Sequence, residues 1–222
     1  MATLLLRFAA PLQSWGLNSN FEVRRTEKEP TKSAVIGLLA SALGRRRDES
    51  NEDLNQLKFG VRVDQEGSVS RDFHTARGEK SSYVTNRYYL EDAVFLVALE
   101  SDDEAFLNRL KAAVEAPAFP LFLGRRSCPP SYPVVLGIRA TAMQTALREE
   151  PWLVADWRQS RLPQRLRIIC DDSSGKAIQR DVPLSFSPMH REFGWRRVSM
   201  QDAVSMNTGE KSTEHDPMVE LE

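Results

Sequence analysis

The distribution of apolar residues predicts an α+β protein. Three observations carry that expectation. Four short apolar or alternating runs are interleaved with two amphipathic helical patterns, in the order strand, helix, strand, strand, helix, strand. The two middle strands are separated by a long polar stretch, Ser68 to Tyr89, too charged to join a core. Beyond residue 140 the chain changes to alternating runs separated by turn residues.

Taken in order, Thr3–Ala9 (TLLLRFA) reads as a buried strand, stopped by Pro11 and Gly16. Asn18–Glu29 is polar and irregular and reads as a surface loop carrying Arg24 and Arg25. A helix is expected within Glu29–Arg47. Thr31 or Ser33 can cap it, Pro30 stands at its entry, and Val35, Ile36, Leu38, Leu39, Ala42 and Leu43 form an apolar stripe that Gly44 ends. Lys58–Asp64 alternates and reads as the second strand. Ser68–Tyr89 reads as a long protruding hairpin or loop. Asp92–Leu99 (DAVFLVAL) is the third strand, Asp102–Glu115 the second helix, and Tyr132–Arg139 the fourth strand. This order is that of the ferredoxin-like, split βαβ arrangement common among RNA-recognition domains.

Residues 1–140 therefore predict a ferredoxin-like, RRM-like domain with a thumb hairpin at about 69–89. Residues 141–200 predict a small β-rich domain. It starts with a helix over Ala142–Glu149. Strands over Arg165–Cys170 and Lys176–Val182 flank DDSSG (Asp171–Gly175), read as a hairpin turn, and Phe193–Met200 adds another strand. Residues 201–222 predict a disordered acidic tail.

Hydrophobic residues make up 41% of the 222, enough for a core, and no run reaches the length of a membrane span. With no secretory signal pattern either, a cytoplasmic protein with no membrane partner is expected. Cys128 and Cys170 lack any metal-ligand spacing and fit a reducing compartment as small buried groups. The net charge of −1 conceals an asymmetry. Gln201–Glu222 holds six acids and one base, so the first 200 residues carry +4. Their arginines cluster at Arg24-Arg25, Arg45-Arg46-Arg47, Arg125-Arg126 and Arg196-Arg197, a pattern expected either of nucleic-acid contact or of solvated faces.

The stretch FLGRRSCPPSYP, Phe122–Pro133, is the strongest candidate anion-binding loop. Gly124 permits backbone angles closed to other residues, Arg125 and Arg126 present planar forks suited to phosphate, Ser127 follows, and three prolines stiffen the exit. Taken alone, two arginines in a turn read equally well as solvated. Thr31, Lys32 and Ser33 stand at a helix start, where free N–H groups attract phosphate; an ordinary cap is the plainer reading. In the thumb, His74, Arg77, Lys80 and Tyr83, with Phe73, interleave cations with rings that can stack on bases. No metal site, nucleotide-binding loop, cofactor motif or Ser/His/Asp arrangement is visible.

Four segments together resemble a known family: LLLRFAAPLQSWG (Leu4–Gly16), EPTKSAVIGLLASALG (Glu29–Gly44), RDFHT (Arg71–Thr75), and YLEDAVFLVAL running on to LGRRSCPPSYPVVLG (Tyr89–Gly137). In order and spacing they are similar to the CasD family, RAMP-superfamily subunits of type I-E CRISPR Cascade surveillance complexes. The resemblance spans the N-terminal two thirds; the last third matches by its place in the chain. It implies a non-catalytic subunit that caps the 5′ handle of CRISPR RNA. Its partners would be the complex's large subunit and the adjacent backbone subunit, with target DNA reached only through the guide. On that reading Arg24, Arg25, Lys32, Arg125 and Arg126, with backbone groups near Thr31–Ser33 and Gly124, hold phosphates, while His74 and Tyr83 meet bases. A related type I-C subunit cuts CRISPR repeat RNA itself. A metal-independent endoribonuclease using His74, Lys80 and Tyr83 is therefore the second expectation. A protein-interaction module without RNA contact is the third, favoured if the named cations do not converge.

Overall fold

A computed structural model describes residues 1–16, 22–78, 82–159, 161–163 and 165–204. In chain order the elements are β1 Ala2–Ala9, β2 Leu12–Gln13, β3 Val23–Arg24, α1 Lys32–Ala42, α2 Glu52–Asn55, β4 Lys58–Gln65, β5 Ser68–Arg77 and β6 Ser82–Glu91. There follow β7 Val94–Ser101, α3 Glu104–Glu115, β8 Val135–Arg139, α4 Met143–Glu149, α5 Asp156–Gln159, β9 Arg165–Asp171, β10 Ala177–Phe186 and β11 Arg191–Val204. The fold is mixed α/β, mostly antiparallel sheet with few helices.

Seven strands form one sheet in the order β10-β11-β9-β4-β7-β1-β8, antiparallel at every pairing. Strand β1, between β7 and the edge strand β8, is buried on both faces. Leu4, Leu6 and Phe8 join the large core that includes Val35, Ile36 and Leu39 of α1 and Leu107 and Leu110 of α3. Leu5 faces the other way, against Met143, Ala146 and Leu147 of α4. A strand covered on both sides reads as an unbroken apolar run, which is why TLLLRFA does not alternate. Thr31 caps α1 by accepting a hydrogen bond from the Ala34 amide, and Asp103 caps α3 through Phe106.

The strands of residues 141–204 belong to the same sheet, joined to the earlier ones where β9 pairs with β4, Gly60 opposite Cys170. The hairpin expected across Asp171–Gly175 does not form. The turn is present, with the Gly175 amide donating to the Asp172 carbonyl at 2.9 Å, but β9 and β10 are not neighbours. The 14-residue β11 lies between them, pairing with β10 from Arg191 to Val198 and with β9 from Val198 to Val204. The physical reason is a buried ionic cluster that needs β11 in the middle. The Arg196 guanidinium donates to Asp181 of β10 from Nε at 2.6 Å and to Asp171 of β9 from Nη1 at 2.6 Å. β11 also runs four residues into the stretch expected to be tail, pairing Gln201 with Ile168 through Val204 with Arg165. Residues 205–222 lie outside the described residues.

Both cysteines are buried and free, as their sequence context predicted. Burial, reinforced by Asp171, pushes the Cys170 thiol up to about 12, and burial also raises Cys128. Because only the thiolate reacts, the folded chain is expected to take up no iodoacetamide at pH 8, and the unfolded chain two equivalents. Mass spectrometry before and after addition of urea checks this. Rapid labelling of the folded chain would mean local opening, of the sheet if Cys170 carries the label and of the arginine loop if Cys128 does.

Candidate nucleic-acid interface

The polar stretch between β4 and β7 is the β5–β6 hairpin. It pairs without a register break from Ser68 opposite Glu91 to Arg77 opposite Ser82. Ten residues in each strand extend it about 30 Å. Both faces of its outer part are solvent-exposed, so it has no core to join and its alternation encodes two surfaces.

Directly paired residues share a face. One face carries Ser70, Asp72, His74 and Ala76 opposite Tyr89, Arg87, Thr85 and Tyr83. The other carries Val69, Arg71, Phe73, Thr75 and Arg77 opposite Leu90, Tyr88, Asn86, Val84 and Ser82. His74 and Tyr83 are therefore together, and Arg77 lies on the opposite side. His74 pairs with Asp72, its neighbour on the same face. Tyr83 is 60% exposed. Lys80 lies outside the described residues.

The first face continues at its base into the arginine loop. β3 pairs in parallel with β6, Arg24 opposite Arg87, adding Arg24 to the same face. The loop closes on two buried anchors, Leu123 and Cys128, with the Leu123 amide donating to the Cys128 carbonyl at 2.7 Å. Its tip, Gly124 to Ser127, projects to solvent. Gly124 has φ +90°, and a Cβ there would lie 1.6 Å from the Ser14 carbonyl oxygen. Only glycine fits, because the loop backbone is pressed against the segment following β2, where the Ser14 amide donates to the Leu123 carbonyl at 3.1 Å.

That contact aims Arg125 across the base of the hairpin. Its guanidinium stacks on the Tyr89 ring at 4.5 Å, and Nη2 donates to the Arg24 carbonyl at 2.8 Å. Nη1 of Arg125 and Nε of Arg87 are buried donors with no partner in the protein. Among the described residues no acid forms an ion pair with Arg24, Arg25, Arg87, Arg125 or Arg126. Arg24, Arg25, Arg126 and Ser127 are exposed. The result is a cationic surface laid over the buried Tyr89 ring, with Tyr83 exposed on the same face.

Three expected residues do not contribute to it. Thr31, Lys32 and Ser33 are 4%, 6% and 6% exposed. The Lys32 ammonium donates to the Leu57 carbonyl at 2.8 Å and pairs with Asp171 at 3.0 Å. The helix start does hold an anion, but an internal one: the Lys32 amide donates to the Asp181 carboxylate at 2.8 Å. A phosphate there would have to displace a buried side chain. Conversely, sequence reasoning left Arg87 and Tyr89 out of the site. Their even spacing from Tyr83, at alternate positions 83, 85, 87 and 89 along one strand, is the signal that places them on the face of His74.

Among the described residues no group of three or more His, Cys, Asp or Glu is placed to hold a metal, and no helix is long and apolar enough to cross a membrane. The profile of a family described as CRISPR-associated protein (Cas_Cas5) matches residues 3–199. The CRISPR system Cascade subunit CasD of Escherichia coli (strain K12) is 37% identical over 167 residues, 65% of this chain and 75% of that protein. A solved structure described as a Cas protein is 39% identical, with a TM-score of 0.75 over 91% of this chain and 95% of its own. A chain of a CRISPR RNA-guided surveillance complex is 32% identical, with a TM-score of 0.78 over 91% of this chain and 90% of its own. The resemblance first seen in four sequence segments thus extends through almost every strand described above, and the chain belongs to the Cas5 family of CRISPR-associated proteins.

Proposed function

We propose that this chain is a non-catalytic subunit of a type I-E Cascade complex, and that its arginine face grips the 5′ handle of CRISPR RNA. The observation that carries this is the convergence of Arg24, Arg87 and Arg125 at the base of the hairpin, with buried N–H donors lacking acceptors and, among the described residues, no ion pair to an acid. A buried unpaired donor is costly, so such a surface favours a partner that supplies acceptors, and charged acceptors bind arginine most strongly. Tyr83, exposed on the same face, suits a polymer that offers bases as well as phosphates. The similarity to E. coli CasD and to a surveillance-complex chain supports the same assignment.

In this reading Arg24, Arg25, Arg87, Arg125 and Arg126 contact phosphates, with Gly124 and Ser127 shaping the loop. His74 and Tyr83 meet bases, and Arg77, on the reverse face, serves a flanking strand or partner. The order β8-β1-β7-β4, with helices after β1 and β7, supports the ferredoxin-like reading of residues 1–140, with β5–β6 as its thumb. We take residues 141–204 as a β-rich extension of that sheet. Contacts with the large subunit and an adjacent backbone subunit, target DNA reached through the guide, and a cytoplasmic setting belong to the same proposal.

The endoribonuclease alternative has one observation in its favour. His74 pairs with the Asp72 carboxylate on the face that carries Tyr83, an arrangement able to orient an imidazole as a base. One gel separates the two. End-labelled CRISPR repeat RNA is mixed with protein in EDTA across a salt series, beside the Arg125→Ala/Arg126→Ala variant. Intact, shifted RNA is expected, with the variant binding about 10-fold more weakly and with a salt dependence shallower by about two counterions. Cut RNA whose cleavage is lost in His74→Ala would replace this proposal with the nuclease.

A further inference from the structure

We infer that, before RNA is bound, the acidic C-terminal segment 205–222 occupies the arginine face as an internal mimic of the RNA backbone. The inference rests on the proposed anion-binding role of that face. It adds an occupant within the chain and a competition that tunes affinity.

Three observations carry it. The first is charge. Residues 205–222 hold Glu210, Glu214, Asp216, Glu220 and Glu222 against Lys211 alone, a net charge of −4. Against it stand five arginines of the proposed site with no ion pair to an acid among the described residues, two of them with buried unpartnered donors. Some arginines of the fold already have carboxylates: Arg45 with Asp53, Arg62 with Asp64, Arg139 with Glu150, Arg196 with Asp171 and Asp181. Of those without one, Arg24, Arg87 and Arg125 meet at one place, where Arg87 and Arg125 keep buried unpartnered donors.

The second observation is where the described chain ends. β11 finishes at Val204, opposite Arg165. Arg167 of the same strand lies opposite Val63 of β4. β4 in turn ends at Gln65, opposite Val94, and the thumb hairpin starts three residues later at Ser68. The segment therefore leaves the sheet at the end from which the hairpin rises, two strands away, or about 10 Å.

The third is reach. Eighteen residues span up to about 60 Å when extended, far more than the separation requires. Tethering on this scale gives an effective concentration on the order of 1 mM. Non-specific electrostatic affinity of about 0.1 mM then masks the face about 10-fold. A CRISPR RNA with many phosphates displaces the segment, whereas short or poorly matched RNA does not. The consequence is selectivity obtained by competition rather than by added contacts.

The test keeps the full-length chain and neutralises the segment: Glu210→Gln, Glu214→Gln, Asp216→Asn, Glu220→Gln and Glu222→Gln together. Fluorescence anisotropy with a 5′-labelled repeat RNA should show the neutralised chain binding about 10-fold more tightly at low salt, the gap closing as salt rises. In a second arm, a labelled peptide of residues 205–222 should bind the neutralised chain and lose binding when Arg87→Ala and Arg125→Ala are added. Equal RNA affinity of the two chains, together with no peptide binding, overturns the inference. If RNA affinity still falls in Arg125→Ala/Arg126→Ala, the RNA-binding reading survives that result. If the peptide binds but repeat RNA does not, the internal contact stands and the RNA-binding reading falls.

Discussion

Arg196→Ala is expected to destabilise the chain by about 3–5 kcal/mol, the cost of breaking a buried ion pair from one side. The side chain is 8% exposed and holds three strands together. Its Nε and Nη2 donate to Asp181 at 2.6 and 2.9 Å, and Nη1 donates to Asp171 at 2.6 Å. Burial alone would lower its pKa, but the two carboxylates outweigh burial and hold it above the ordinary guanidinium value. Removing it leaves Asp181, 1% exposed at its side chain, with only the Lys32 amide among its protein donors described above. Asp171 keeps the Lys32 ammonium and the Phe59 amide. Arg196→Lys restores one charge without the fork and should recover only part of the loss. Urea denaturation followed by circular dichroism measures both variants. A loss below about 1 kcal/mol for the alanine variant would mean that the carboxylates rehydrate freely, contrary to the closed cluster described above.

Gly124→Ala is expected to damage binding more than any single arginine substitution while leaving the core intact. A methyl group there would lie 1.6 Å from the Ser14 carbonyl oxygen, a backbone atom that cannot swing aside. The left-handed backbone adds about 1–2 kcal/mol of strain for any residue with a Cβ. The loop must lift, and with it the Arg125 stack on Tyr89 and the hydrogen bond to the Arg24 carbonyl. RNA affinity should fall at least about 10-fold, on the scale of two lost phosphate contacts. The denaturation midpoint should fall less than in Arg196→Ala, because the loop tip is exposed. Unchanged RNA affinity in a folded Gly124→Ala chain would show that the loop does not position the arginines.

These two sites explain why the sequence was legible in some places and not in others. Helices α1 and α3 and the strands β1, β4, β7 and β8 follow from local pattern, because each shows a helical period, an alternation or a short unbroken apolar run. The arginine loop is legible for the same kind of reason: Gly124, two arginines and three prolines state their backbone and charge locally. The hairpin's two faces could also have been read from alternation, which would have separated Arg77 from His74 and drawn in Arg87 and Tyr89.

The sequence by itself determined the family, the strand–helix order, the thumb between two core strands, and the loop that carries Arg125 and Arg126. Only the tertiary structure decided the fate of Lys32, because whether a lysine meets solvent or a buried carboxylate depends on residues 139 and 149 positions away, Asp171 and Asp181. It alone decided that β11 lies between β9 and β10, since a turn such as DDSSG specifies a reversal but not which strand fills the space beside it. It also decided that Arg24, Arg87 and Arg125 face one another, through pairings between segments some 40 to 100 residues apart whose register is set by shared burial, not by nearby residues.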